Sequence, residues 1–131
     1  MIAHTGLNVT NYKRSKKFYA QSLKPLGYSV RMDLPKWKAA GFSDGTNLDF
    51  WIGEKKRVTP IHVAFEAKSK QLVDAWYKAA LKAGAKDNGA PGYRADYWAG
   101  YYAAFVYDFD GNNIEAVYWD YKKAGEKKPR R

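Results

Sequence analysis

The chain contains one internal repeat, and a repeat of this length restricts the fold to two copies of a single supersecondary unit. Ile2–Val9 aligns with Pro60–Ala67 at an offset of 58 residues, and the same offset places Phe18-Tyr19 on Trp76-Tyr77. Leu26-Gly27 falls on Ala83-Gly84. Asp44-Gly45-Thr46-Asn47-Leu48-Asp49 matches Asp110-Gly111-Asn112-Asn113-Ile114-Glu115 at an offset of 66. The second copy therefore holds about eight more residues, and the turn-rich run Asn88-Gly89-Ala90-Pro91-Gly92 is where they fit.

Each copy reads as strand, helix and three strands. The first strands are expected over 2–9 and 60–67, and the helices over 12–23 and 69–83. Asn11 and Ser69 are the expected N-caps, with Gly27 and Gly84 as stops. Apolar residues recur at helical spacing: Phe18, Tyr19 and Leu23 in one copy, Leu72, Val73, Trp76, Tyr77, Ala80 and Leu81 in the other. Strands are expected over 27–33, 38–43 and 47–52, then over 85–88, 101–108 and 113–119. Asp44-Gly45 and Asp110-Gly111 mark the turns. The fold class is thus α+β, two βαβββ modules of residues 1–57 and 58–119 within one domain, followed by a basic tail over 120–131. Each sheet packs a helix on one face and leaves the other to enclose a cavity.

Composition narrows the chemistry. With 46% hydrophobic and 17% aromatic residues, the 131-residue chain has material for a core. It has no cysteine, which excludes disulfides, thiolate nucleophiles and Cys-ligated zinc. No apolar run reaches the ~18 to 20 residues of a membrane span, so no membrane partner is expected. The segment Met1–Gly6 lacks the basic and apolar regions of a signal peptide, which points to a cytoplasmic protein. The net charge is +10, part of it in the tail, and favours loose association with polyanions at low salt. No nucleic-acid module is recognisable, and no specific nucleic-acid partner is expected.

Strand parity locates the open face. Leu7 and Val9 form one set in the first strand, with His4, Gly6 and Asn8 opposite. Val63 and Phe65 likewise oppose His62, Ala64 and Glu66. In the last strands, Leu48 and Phe50 oppose Asp49 and Trp51, and Ile114 and Ala116 oppose Glu115 and Val117. With the apolar sets against the helices, His4, Asp49, His62 and Glu115 share the other face, two from each copy. The only two histidines thus fall at equivalent places in the repeat. Imidazoles and carboxylates are what a divalent cation needs when thiolates are lacking. The alternative is that His4-Asp49 and His62-Glu115 only hydrogen-bond across strands.

These residues resemble the vicinal oxygen chelate superfamily, which includes glyoxalase I, bleomycin-resistance proteins, fosfomycin-resistance enzymes and extradiol dioxygenases. The matching stretches are His4–Val9, Ser15–Tyr19, Leu23–Tyr28, His62–Phe65 and Asp108–Val117, so the likeness spans about residues 1 to 119. It implies curved mixed sheets around a cavity and a divalent metal (Zn, Ni, Mn or Fe) held by His4, His62 and Glu115. Asp49 stands at the fourth ligand place, shorter than the glutamate or glutamine frequent there. It also implies a homodimer. The sequence is most similar to a branch of small glyoxalase-like proteins marked by Asp49-Phe50-Trp51, Asn88–Gly92 and Tyr101-Tyr102. That branch often has histidine where this chain has Trp98 and proline where it has Phe109.

The resemblance implies a metal-dependent lyase or isomerase acting on a small oxygen-rich molecule, with Glu115 as catalytic base. Two other readings stand beside it: a protein that sequesters a drug or other small molecule without catalysis, and a ring-cleaving dioxygenase. For substrate contacts, Trp51, Tyr97, Trp98 and Tyr101 are placed to stack on a planar ligand, together with Trp37 and Tyr102, and Arg94 to pair with a carboxylate. If His4 and His62 are ligands, their rings converge with Glu115 on one cavity although 58 residues separate them.

Overall fold

The computed structural model describes residues 1–127 and follows the repeat. In the first module, β1 (Thr5–Val9), α1 (Tyr12–Ser22), β2 (Ser29–Leu34), β3 (Ala39–Ser43) and β4 (Leu48–Glu54) form a sheet of order β1-β4-β3-β2. In the second, β5 (His62–Glu66), α2 (Lys70–Lys82), β6 (Lys86–Asp87), β7 (Gly92–Tyr93), β8 (Tyr101–Tyr107) and β9 (Asn113–Trp119) form the order β5-β9-β8-β6, with β7 also on β8. β1 pairs parallel with β4 and β5 with β9, and the other pairings are antiparallel. Both sheets are therefore mixed, and the strands carrying the histidine segments lie at their edges.

The helices start where side chains can satisfy backbone donors. Asn11 accepts the Arg14 amide and Ser69 accepts the Leu72 amide, caps each worth about 1 kcal/mol. The apolar parity sets turn inward as expected: Leu7, Val9, Phe50, Ile52, Phe65, Ile114 and Ala116 are buried in one core that spans both modules. Aromatic edges organise that core. Tyr19 packs on Phe42 and Phe50, while Phe65 of the second module packs on Phe50 and Tyr28 of the first.

A buried polar turn ties the modules together. Asp108 accepts the Tyr19 hydroxyl at 2.5 Å, the Asn112 side-chain amide at 2.9 Å, and the backbone amides of Asp110 and Asn112. Asn112 in turn donates to the Asn8 carbonyl and accepts the Ile61 amide. Asp110 receives the amide and hydroxyl of Thr10. The second-module turn thus grips both first strands and α1.

The start of the expected basic tail is ordered against the second module. Residues Tyr121–Ala124 form a short helix, α3, capped by Asp120 and closed by Gly125. The Tyr93 hydroxyl donates to Asp120, and the Trp98 indole donates to Glu126. Gly100 permits this docking, because a Cβ there would lie 2.1 Å from the Asp120 carbonyl oxygen. The last four residues of the expected tail, 128–131, lie outside the described residues.

Replacing Asp108 with alanine strands the buried Tyr19 hydroxyl and three further donors. Urea denaturation is expected to show a loss of about 2 to 4 kcal/mol, whereas Asp44→Ala, at the exposed turn of the first module, is expected to lose less than about 1 kcal/mol.

Candidate active site

The site is assembled from matching places in the two sheets. β9 presents Glu115 opposite Ala64 of β5, and Phe105 opposite Glu115 on β8. Glu115 is 1% exposed, yet its carboxylate is fully engaged. His62 Nε2 lies 2.8 Å from Oε1, and the Tyr101 hydroxyl donates to Oε2. Burial first, then the hydrogen bond to Glu115, raise the Tyr101 phenol well above the ordinary tyrosine value. It is a neutral donor throughout the physiological range.

In the first module, Asp49 sits on β4 with its Oδ2 accepting the Tyr28 hydroxyl at 3.1 Å. Its Oδ1 is buried without a hydrogen-bond partner. A buried carboxylate oxygen left bare is unfavourable and asks for a proton, a water or a cation. Tyr28 is also pushed well above its ordinary pKa, mainly by burial and then by Asp49. Sequence reasoning did not single out Tyr28; the buried acid that needed a donor was the available signal.

A cleft of about 1400 Å³ at the module junction is lined by His4, Tyr28, Asp49, His62 and Phe65, whereas Glu115 and Tyr101 do not line it. Lys68 and Lys122 lie on its walls, so α3 contributes to the cleft. His4 precedes β1 and is exposed, as is His62. Among the described residues, no three His, Asp or Glu side chains cluster tightly enough to hold a metal ion. In the single chain the second module takes the hydrogen-bonded arrangement, His62 to Glu115, while no such bond joins His4 to Asp49.

The expected substrate contacts divide. Tyr101 carries the hydroxyl on Glu115, and the exposed Tyr97 packs edge-on against its ring. Trp51 lies across Gly41 on the open side of the first sheet. Arg94 is occupied by its own loop: it donates to the carbonyls of Gly92 and Ala90 and lies over Phe105. Trp98 packs on Trp119 and Tyr121 and serves to dock the C-terminal segment. None of Trp51, Arg94, Tyr97 and Trp98 lines the cleft.

Because Tyr19, Tyr28 and Tyr101 hold their protons more tightly when folded, the unfolded chain releases protons first as pH rises. Stability is therefore expected to be unaffected by these groups below about pH 10 and to fall above it. Urea midpoints between pH 8 and 11 check this, and Tyr28→Phe with Tyr101→Phe should flatten the decline.

Solved structures share this architecture. A glyoxalase/bleomycin resistance protein from Albidiferax ferrireducens T118 is 25% identical, with a TM-score of 0.73 over 88% of this chain and 96% of that one. A glyoxalase/bleomycin resistance protein/dioxygenase family enzyme from Burkholderia phytofirmans PsJN is 16% identical, with a TM-score of 0.68 over 90% and 98%. Lactoylglutathione lyase from Agrobacterium tumefaciens is 17% identical, with a TM-score of 0.66 over 90% and 92%. No curated protein matches the chain. The model of the glyoxalase/bleomycin resistance protein/dioxygenase superfamily matches residues 1–116. Two repeated modules, their mixed sheets and that match over nearly the whole length agree: the chain belongs to the glyoxalase/bleomycin resistance protein/dioxygenase superfamily.

Proposed function

We propose that this protein is a metal-dependent enzyme of lyase or isomerase type, acting on a small oxygen-rich metabolite, with Glu115 as the proton-transferring base. The observation that carries the reading is the engaged but buried Glu115 carboxylate, held between His62 and a neutral Tyr101. The bare Oδ1 of Asp49 supports a cation at the other half-site. Imidazole and carboxylate donors of this kind suit Zn, Ni, Mn or Fe.

His4, Asp49, His62 and Glu115 would hold the ion. Bound there, it supplies Lewis acidity toward two adjacent substrate oxygens. Glu115 takes a proton from the hydroxyl-bearing carbon beside a substrate carbonyl and returns it to the carbonyl carbon, while the hydroxyl proton passes to the former carbonyl oxygen, so the overall composition is unchanged. The Tyr101 hydroxyl steadies the carboxylate by donating its single proton to Oε2. His62 fixes the other carboxylate oxygen until the substrate enters.

The full donor set is proposed to gather in a homodimer. β1, β2, β5 and β6 are sheet edges, and edges of this kind are safer when a second copy covers them. The chain is proposed to act in the cytoplasm. Among the described residues, no helix is long and apolar enough to cross a membrane.

Elemental analysis of untagged protein is expected to find a stoichiometric divalent metal, lost in His4→Ala and His62→Ala while the thermal melts stay near wild type, since both histidines are exposed. Sedimentation is expected to show a dimer. Metal-loaded protein is expected to exchange the α-proton of hydroxycarbonyl compounds in deuterated water, with Glu115→Gln slowing exchange by about 10² to 10⁴-fold. Protein that takes up no divalent ion yet binds a planar aromatic drug tightly would favour sequestration instead. Oxygen consumption with a catechol and iron would favour ring cleavage.

A further inference from the structure

On its helical side the molecule has a second pocket, of about 650 Å³, walled by α1, the turn after it, the C-terminal end of α2 and the Asp108–Asn112 turn. Four cations line it: Arg14, Lys17, Lys24 and Lys82. Phe18 and Phe109 supply apolar wall. Among the described residues, none of the four cations has a carboxylate within ion-pair distance; the ion pairs there are Lys16–Asp33, Lys38–Glu54 and His62–Glu115.

This arrangement works against the stability of the helix that bears it. The first turns of α1 carry Lys13, Arg14, Lys16 and Lys17 and no acid. That end of a helix has a partial positive charge, so cations there are unfavourable, and like charges three or four residues apart add repulsion. Among the described residues, only Lys16 of these four pairs with a carboxylate, that of Asp33.

Arg14 is also fixed in place. Its guanidinium carbon lies 4.5 Å from the centre of the Phe109 ring, a cation–π contact. Phe109 is itself seated, edge-on to Phe18 at 5.3 Å and over Gly84. A Cβ at residue 84 would lie 2.9 Å from that ring. An arginine whose plane is held by an aromatic ring loses little freedom when its fork takes a bidentate anion.

We propose that this pocket binds a small polyphosphorylated anion, either a nucleoside polyphosphate or a polyphosphate ester. Four unpaired cations around one small volume call for several negative charges on one compact ligand. Concavity separates this from nucleic-acid binding, where cations track a backbone along an open surface. The volume lies within the ~300 to 1,000 Å³ range of small-molecule sites. The pocket shares no lining residue with the cleft, so the proposal does not rest on the function proposed for that site.

Titration calorimetry of the full chain with sodium tripolyphosphate and with ATP tests the proposal. Saturable binding is expected, weakened at least tenfold in R14E/K82E and much less in K55E/K56E, which changes the net charge equally at residues outside the pocket lining. F109L is expected to weaken binding several-fold by releasing Arg14. Tighter binding of ATP than of tripolyphosphate would indicate a nucleotide, and the reverse a simpler polyphosphate. Amide shift mapping in wild-type protein gives an independent check, with shifts expected at Arg14, Lys17 and the residues around Phe109. Equal losses in the two double variants would overturn the proposal. So would binding of duplex DNA that outcompetes tripolyphosphate, or amide shifts confined to the cleft.

Discussion

The carboxylate of Asp108 holds the two modules in register. It is buried and accepts four donors, one of them the Tyr19 hydroxyl from the opposite module. An anion removed from water persists only if its lone pairs are matched, and here the matches come from both halves of the chain. Through Asn112 and Asp110 the same turn fixes Asn8, Thr10 and Ile61, the chain segments that lead out of β1 and into β5. The edges bearing the two histidines are thereby set relative to one another. The cleft at the module junction depends on that polar grip as much as on the aromatic contacts beneath it.

The two repeat-related acids then acquire different surroundings. Glu115 is saturated by His62 and Tyr101, whereas Asp49 has one oxygen on Tyr28 and one bare. Aspartate is one methylene shorter than glutamate, so from an equivalent strand position it reaches less far. In both halves a tyrosine kept neutral by burial supplies the hydrogen bond, so protonation near neutral pH does not alter that contact.

Charge is distributed with similar inequality. The pocket on the helical side collects Arg14, Lys17, Lys24 and Lys82, none of them paired with a carboxylate among the described residues. Lys70 and Lys123 lie over Tyr93, and Lys123 donates its amide to Asp120, so part of the tail's charge serves to dock α3. Around Phe109, Arg14 lies over the ring, while Lys17, Lys24 and Lys82 pair with no carboxylate among the described residues.

Local rules were enough for the elements themselves. Apolar spacing, Asn11 and Ser69 as caps, and the two Asp-Gly turns fix the strands and helices, because each depends on neighbours within a few residues. Alternation separates the faces of the two edge strands, where Gly6, Asn8, His62 and Ala64 are exposed and Leu7, Val9 and Phe65 buried, but not those of β9, where Ile114–Val117 are all buried. The pairing of His62 with Glu115 was legible for the same reason, since parallel neighbours at matching repeat positions must share a face. Arg94 and Trp98 were not legible as structural residues, because their partners, the carbonyls of Ala90 and Gly92 and the Glu126 carboxylate, are chosen by loop closure and by docking of α3. Nor could the sequence show the Asp108 grip or the bare oxygen of Asp49. Those arise from contacts between residues far apart in the chain, and only the packed modules decide which buried polar atoms find a partner.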